Sequence, residues 1–207
     1  MPAGSSFYSE EELAGLGLRS FGHDVKISRK ASLYNTGRIE IGSHVRIDDF
    51  CVISACSDGW VRIGSFVHIA ALCLIEAPAG LEMKDFSGLA GRCTVYGGTD
   101  DYSGEHLTNP CVPWEYRSCV WAPVILEKHA LAGAGAVILP GVTMGECSVA
   151  GAMSLVNRSI PPGQIHAGTP ARYIKDRKTT LLELEADFRR RQAGGGFGCE
   201  ACRMEGV

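Results

Sequence analysis

The chain has 207 residues, of which 45% are hydrophobic and 21% are charged, and its formal net charge is −3. This length suits one domain with a sizeable core, and the mildly acidic charge argues against a nucleic-acid-binding surface. The N-terminus lacks a basic start followed by an apolar core, and no apolar run is long enough to span a bilayer. We therefore expect a cytoplasmic protein with no nucleic-acid partner and no membrane span.

A short helix is predicted within residues 1–20, which we assign as an N-terminal cap. Ser9 and Glu12 have the spacing of a capping box, in which each side chain accepts a hydrogen bond from the other residue's backbone N–H. Leu13 and Leu16 follow as a short apolar segment. The sequence thus predicts a helix beside the first part of the next domain.

A six-residue period then dominates the chain. It is unbroken from Leu126 to Pro161, in the units LEKHAL, AGAGAV, ILPGVT, MGECSV, AGAMSL and VNRSIP. Each unit starts with an apolar or small residue and carries a compact or apolar residue four places later. This period matches neither a helix nor an ordinary strand, so it predicts an all-β solenoid of short strands and turns, a parallel β-helix. Earlier units start at Ile27, Leu33, Ile41, Ile47, Ile53, Ile63, Ile69, Ile75, Met83, Leu89 and Val95.

Extra residues separate these units only at intervals of three, which predicts three strands per coil and a triangular cross-section. Groups are predicted to open at Ile27, Ile41, Ile63, Met83, Leu126 and Met144. Every insertion then leaves the coil at one corner. The largest, about residues 101–123, is predicted to form a protruding loop, and long loops in compact domains are usually functional. We assign residues 21–175 to one β-helix domain that carries this loop.

A second helix is predicted in the C-terminal segment, residues 176–207. Apolar residues share one face of a helix from Lys178 to Gln192, namely Leu181, Leu184 and Phe188. We expect this face to dock on the last coil, because an open β-helix end needs a cap. A flexible Gly-rich tail is expected after the helix.

The nine cysteines predict neither a disulfide framework nor a metal centre. Cys51, Cys73 and Cys93 occupy the compact fourth place of their units, so we expect small, reduced core residues. Cys199 and Cys202 form an isolated CxxC in the tail, which is weak evidence for zinc. We therefore expect no metal cofactor.

The chain resembles the hexapeptide-repeat acyltransferases, which fold as left-handed β-helices. The resemblance covers about residues 21–175 and rests on the repeat, on ILPGVTMGECSVAGAMSLV and on PPGQIHAGTPARYIK. SFYSEEELAGLG and DDYSGEHLTNP resemble a narrower group, the acyltransferases of dTDP-4-amino-4,6-dideoxy-glucose used for bacterial surface polysaccharides such as O-antigen. The resemblance implies a left-handed coil, acetyl-CoA as co-substrate, a nucleotide sugar as acceptor, and a homotrimer with active sites between subunits.

The chain departs from the O-acetyltransferases of this family at the catalytic base. Their histidine lies after the unit that matches Val95, where this chain reads VYGGTDDYSGEH and Asp101 takes the histidine's place. A sugar hydroxyl needs a strong base, whereas a sugar amine is partly neutral near pH 7 and attacks before losing its proton. The aspartate therefore favours N-acetylation of a nucleotide-linked 4-amino-6-deoxy sugar.

Two loop carboxylates, Asp100 and Asp101, are the first candidates for amine contact and proton acceptance, although both also suit a turn cap. His106, on the same loop, is either a displaced base or a surface residue. His68 sits at the sixth place of its unit near a predicted corner, where it either enters the site or bonds the next coil. Candidates for binding the sugar or nucleotide are Tyr102, Asn109 and Trp114.

Coenzyme A is expected along the late coils, where small residues let a pantetheine arm lie against exposed backbone. Hexad turns need small residues in any case, which is the alternative for Gly133, Gly135, Gly151 and Ala152. Basic residues that suit the coenzyme's phosphates follow, including Arg158, Arg172 and Lys175.

Two other functions stay open at this point. O-acetylation of a sugar or galactoside would need His68 or His106 as its base. A γ-carbonic-anhydrase-like or non-catalytic β-helix would use coil histidines, yet His44 and His129 differ from His68 in their hexad position, and the sequence has no HxxxxH pair.

Overall fold

The structure, a computed structural model, describes residues 6–193 and begins with the predicted capped helix. Helix α1 spans Glu10–Gly15. Ser9 Oγ accepts from the Glu12 N–H at 3.3 Å, and the Glu12 carboxylate accepts from the Ser9 N–H at 2.8 Å, which confirms the capping box. Leu13 is buried in the same core as the coil, so α1 packs on the β-structure.

Within residues 6–193, short strands form three parallel sheets that are the faces of a β-helix. The first sheet contains Ser20–Phe21, Ile39–Ile41, Val61–Ile63, Leu81–Met83, Val124–Leu126 and Thr143–Met144. The third contains Ser32–Tyr34, Val52–Ser54, Leu74–Glu76, Thr94–Tyr96, Val137–Ile138 and Leu155–Val156. A short 3₁₀ helix, Thr36–Arg38, joins the first coil to the second.

The second sheet is longer because the chain folds back on it after the last coil. It contains Val25–Ile27, Val45–Ile47, His68–Ile69, Gly88–Leu89, Leu131–Ala132, Val149–Ala150, Gln164–Ala167 and Arg172–Asp176. The last of these strands pairs antiparallel with Gln164–Ala167. The repeat thus ends in a hairpin on the second sheet.

Unit-start residues stack directly on one another, which confirms the predicted repeat. In the third sheet Ile53 pairs with Ile75, and Ile75 with Val95. All three are at most 1% exposed. Because each coil places one such residue per face toward the axis, the core is a continuous column of aliphatic side chains.

The predicted grouping was wrong at the N-terminal end. Ile27 pairs with Ile47 in the second sheet and opens no group, whereas Phe21 pairs with Ile41 and opens the first coil. An apolar residue two places before the unit start does not distinguish the sheets, because Val45 precedes Ile47 in the same way. Phe21 lacks that signal and is only partly buried.

Side chains at the corner between the first and second sheets form an aromatic ladder. His44, Phe66, Phe86 and His129 all have φ between 57° and 60°. Their neighbouring rings stack with centroids 4.7 to 5.0 Å apart. His44 and His129 therefore shape this corner. Among the described residues, no group of three His, Cys, Asp or Glu side chains is placed to hold a metal ion.

The larger insertions leave the coil between the third and first sheets, as predicted. The longest has an antiparallel ribbon at its root, formed by Gly98–Asp100 and Cys119–Trp121. A 3₁₀ turn, Trp114–Tyr116, lies within this long loop. The ribbon holds both ends of the loop at one corner of the coil.

The described residues divide into two compact units, one ending at Arg177 and the other starting at Lys178. The second contains helix α2, Thr180–Ala193, which confirms the predicted C-terminal helix. Its docking on the coil stays a prediction, and Cys199 and Cys202 lie outside the described residues. In the part of the chain described, neither helix has the length and apolarity needed to cross a membrane.

Buried thiols line the interior of the coil. Cys51, Cys73 and Cys93 are free and at most 1% exposed, as predicted. Cys51 Sγ donates to the Ala70 carbonyl at 3.1 Å, and Cys93 Sγ donates to the Gly133 carbonyl at 3.2 Å. These side chains fill compact positions and bond the neighbouring coil.

Candidate active site

A cavity of about 460 Å³ lies at the root of the long loop. Trp114 and Trp121 line it with indole rings whose centroids are 5.7 Å apart. A Cβ on Gly98 would lie 2.8 Å from the Trp121 ring and 2.9 Å from Pro78. The ribbon therefore has room only for glycine at this position. The cavity therefore offers aromatic surfaces on a fixed backbone, a setting suited to a planar or ring-shaped ligand.

Asp100 joins the two arms of the loop beside this cavity. Its Oδ1 accepts from Arg117 Nη2 and from Cys119 Sγ, both at 3.1 Å, and its Oδ2 accepts from the Asn109 N–H at 3.0 Å. These donors, Cys119 foremost, lower the pKa of Asp100. The carboxylate therefore stays ionised at neutral pH and fixes the loop's shape.

Arg117 is the cation that faces this carboxylate. Its side chain is 13% exposed and lies over the Trp114 ring at 5.6 Å. Within the described residues, its buried Nε has no hydrogen-bond partner. A buried donor without a partner is costly, and an acceptor that reached this atom would remove that cost.

Asp101 points its carboxylate back into the loop. It accepts from the Ser103 N–H at 2.8 Å, from Ser103 Oγ at 2.9 Å and from the His106 N–H at 3.1 Å. These bonds, led by those from Ser103, lower the pKa of Asp101 to about 2. Asp101 thus caps the turn that enters the loop, which was the alternative role for this residue. His106 Nδ1 also faces it at 3.3 Å.

As the pH falls, we expect the long loop to lose its structure at a higher pH than the coil does. The folded-state pKa of Asp101 is about 2 and its ordinary value is 3.8, so its stabilising contribution is fully present above pH 3.8. That contribution is lost as pH falls through about 2, and the lowered pKa of Asp100 acts in the same direction. Amide hydrogen exchange at Ser103 and His106 measures this, with the core amide of Ile75 as a control.

Unchanged protection of the Ser103 and His106 amides from pH 5 to pH 2 would contradict this expectation. In Asp101→Asn the side chain does not ionise, so the pH-dependent part of this protection should largely disappear. The comparison separates the Asp101 carboxylate from other acid-sensitive groups in the loop.

His68 lies away from the cavity in a single chain. It is the first residue of the strand His68–Ile69 in the second sheet, directly after the corner between the first and second sheets, which agrees with the predicted place near a corner. Its Nε2 is 2.7 Å from Asp48 on the neighbouring coil, which also accepts from Arg46 Nε at 2.6 Å. The cavity instead lies at the corner between the third and first sheets.

Of the loop residues predicted to bind sugar or nucleotide, Trp114 lines the cavity. Asn109 adopts φ 72° and uses its backbone N–H to hold Asp100. Tyr102 is 90% exposed and does not line this cavity. Sequence reasoning missed Arg117 and Trp121, since their position in the loop gave no sign that they face the same space.

The small residues predicted to bind coenzyme A lie where successive coils approach closely. A Cβ on Gly133 would lie 2.6 Å from the backbone nitrogen of Ala152, and one on Gly151 would lie 2.8 Å from the Ala167 Cβ. Gly135 has φ 72°. Coil geometry therefore requires glycine here, whatever ligand the surface takes.

The predicted basic residues are exposed and belong to two different elements. Arg158 follows the last strand of the third sheet, Leu155–Val156, whereas Arg172 and Lys175 belong to the last strand of the second sheet. Their proposed contact with the coenzyme's phosphates stays a prediction.

Comparison with known proteins defines the class. No family model matches the chain. Over 184 residues it is 36% identical to dTDP-4-amino-4,6-dideoxy-D-glucose acyltransferase of Escherichia coli, which covers 89% of this chain and 95% of that protein.

Solved structures of AntD, an N-acyltransferase from Bacillus cereus, are also similar. The complex with dTDP and 3-hydroxybutyryl-CoA matches with a TM-score of 0.88 and 44% identity over 92% of this chain and 100% of that one. An AntD variant bound to dTDP-4-amino-4,6-dideoxyglucose and coenzyme A matches with a TM-score of 0.85 and 46% identity. It covers 90% of this chain and 98% of that chain.

The three-sided coil and these similarities define a left-handed β-helix acyltransferase, which confirms the predicted fold class. Within that class, the chain belongs to the dTDP-4-amino-4,6-dideoxy-D-glucose acyltransferase family.

Proposed function

We propose that the protein transfers an acyl group from a coenzyme A thioester to the amine of a dTDP-linked 4-amino-4,6-dideoxy sugar. The observation that carries this proposal is the 36% identity to the Escherichia coli acyltransferase across nearly the whole of both chains. AntD, of similar fold and 44% identity, binds dTDP and an acyl-CoA. The replacement of a loop histidine by Asp101 agrees with an amine acceptor.

The loop cavity is the proposed acceptor site. Asp100 is held ionised at its edge, where it can bond the sugar amine without competing for its proton. The indole faces of Trp114 and Trp121 suit a pyrimidine or a sugar ring, and the buried Arg117 supplies a donor for a polar group. Asp101, Tyr102 and His106 remain candidate contacts on the exposed part of the loop.

Acetyl-CoA is the donor we propose, because the wider resemblance is to acetyltransferases. AntD has been solved with 3-hydroxybutyryl-CoA, so a longer acyl chain is the natural comparison. We expect a higher kcat/KM with acetyl-CoA than with 3-hydroxybutyryl-CoA, and a higher value with the longer thioester would contradict this choice.

A homotrimer with sites between subunits is proposed on the basis of exposed apolar side chains. Residues at the corner between the second and third sheets are unusually open for their type, namely Phe50 at 56%, Leu72 at 54% and Met153 at 74%. Exposed large apolar side chains at one corner of successive coils favour association with another chain. Sedimentation at assay concentration measures the assembly, and a monomer that remains active would contradict it.

The acylated sugar is proposed to enter a bacterial surface polysaccharide, such as the O-antigen of lipopolysaccharide, after synthesis in the cytoplasm. Support comes from the chemistry of a nucleotide-linked sugar, which is an activated glycosyl donor. Polysaccharide from a deletion strain should contain the unacylated amino sugar or lack that sugar, and an unchanged polysaccharide would exclude this role.

Thiol release from acetyl-CoA with two acceptors tests the enzymatic proposal. We expect turnover with dTDP-4-amino-4,6-dideoxy-glucose and none with a simple galactoside, because the amine needs no strong base before attack. Turnover with the galactoside alone would reject N-acylation and turn attention to His68 and His106. No thiol release with either acceptor, whichever acyl-CoA is supplied, would reject the proposed acceptor class.

A further inference from the structure

A carboxylate outside the loop also lines the acceptor cavity. Glu76 is the last residue of the strand Leu74–Glu76, and its side chain is exposed in the same cavity as Asp100. Its backbone carbonyl accepts from the Gly97 N–H at 2.7 Å, directly before the ribbon starts. The backbone of Glu76 is therefore fixed where the loop departs, and its side chain faces the space between coil and loop.

The side chain of Glu76 differs from the loop carboxylates in its bonding. Within residues 6–193, no side chain or backbone donor bonds its carboxylate and no cation pairs with it. Asp100 and Asp101 each accept three hydrogen bonds from the loop. Protonating either aspartate would break bonds that hold the loop, whereas protonating Glu76 breaks none.

We infer that Glu76 accepts the proton that the sugar amine loses during acyl transfer, while Asp100 orients the amine. The inference rests on the proposed function and names a further catalytic residue for it. The division of labour follows from the geometry, because the carboxylate that builds the loop is separate from the one that is free to change its protonation state.

The step balances without another reagent. The lone pair of the neutral amine attacks the thioester carbon, the N–C bond forms, and the carbonyl electrons move to oxygen. The nitrogen, now cationic, gives one proton to the Glu76 carboxylate. The carbonyl re-forms, the C–S bond breaks with its electron pair on sulfur, and the thiolate takes the proton from Glu76. The products are the amide and the free thiol, with Glu76 returned to its starting state.

Kinetics of Glu76→Gln with dTDP-4-amino-4,6-dideoxy-glucose and acetyl-CoA test the inference. We expect kcat to fall about 100-fold, in the range for loss of a positioned acid–base group, with KM for the sugar changed less than threefold. Glu82→Gln is the matched control, since Glu82 lies on the outer face of the first sheet and outside the cavity. It should keep wild-type kcat.

Rescue by a small acid separates proton transfer from a structural role. Added formate should restore activity to Glu76→Ala at least tenfold and leave the wild type unchanged. If the wild type turns over the amino sugar while Glu76→Gln stays within twofold of its kcat, the inference is overturned and the proposed function stands. A tenfold loss without formate rescue also overturns it. An inactive wild type rejects the proposed function itself.

Discussion

Asp100→Ala is expected to lower kcat/KM for the dTDP-linked amino sugar by about 100-fold, the cost of misplacing a reactant by about 1 Å. The substitution removes the bond partner of Arg117, Cys119 and the Asn109 N–H at once, so both arms of the loop lose their common anchor. It also leaves a mostly buried guanidinium without its counter-ion. Steady-state kinetics with both substrates varied measures the loss.

Asp100→Asn separates the shape of this side chain from its charge. The amide keeps one oxygen acceptor for the loop but cannot pair with a cationic amine, so we expect an intermediate loss with a raised KM for the sugar. Asp187→Asn, on the exposed face of α2, is the matched control and should behave as wild type. Full activity in Asp100→Ala would show that Asp100 is not part of the active site.

The repeat made most of the fold predictable from sequence. A unit start such as Ile75 must point inward on each coil, because a six-residue turn returns the chain to the next face of the triangle. Pairing of Ile53 with Ile75 and of Ile75 with Val95 follows from that rule alone. The exit of the insertions at one corner follows as well, since added residues elsewhere would displace the stacked strands.

The first coil was predicted wrongly from the sequence, and the reason is physical. Phe21 starts a unit beside the N-terminal segment, where a partly exposed aromatic ring replaces the buried aliphatic residue of later coils. Its strand is only two residues long and is preceded by Arg19 at the position used to recognise group starts. The apolar pattern that marks group starts is therefore absent at the end of the column of core residues.

The candidate site was less predictable than the coil. The hexad fixes inward residues and leaves outward ones free, so nothing in the pattern marks Glu76 or separates Asp100 from Asp101. Their roles depend on the path of the loop, which turns one carboxylate toward Arg117 and the other toward Ser103. Glu76 and Trp121 are more than 40 positions apart in sequence but line the same cavity. They come together because the insertions leave the coil at one corner, between the third and first sheets.

Ile75→Ala is expected to reduce the free energy of unfolding by about 2–5 kcal/mol, the usual cost of truncating a large aliphatic side chain in a packed core. Ile75 is 0% exposed and stacks between Ile53 and Val95. The smaller residue leaves a cavity that two coils share, and their strands are tied by backbone hydrogen bonds that limit collapse. Urea denaturation at one fixed protein concentration measures the loss, since any assembly makes stability concentration-dependent.

Ile75→Val and Glu82→Ala locate the origin of that loss. Valine keeps the branched shape and should cost about 0.5–1.5 kcal/mol, while the outward-facing Glu82 should change stability by less than about 0.5 kcal/mol. A loss of less than about 1 kcal/mol in Ile75→Ala would show that the coil relaxes around the cavity. A large loss transmitted to hydrogen exchange in every coil would instead show that the stacked column unfolds as one cooperative unit, because nearest-neighbour contacts couple each turn to the next.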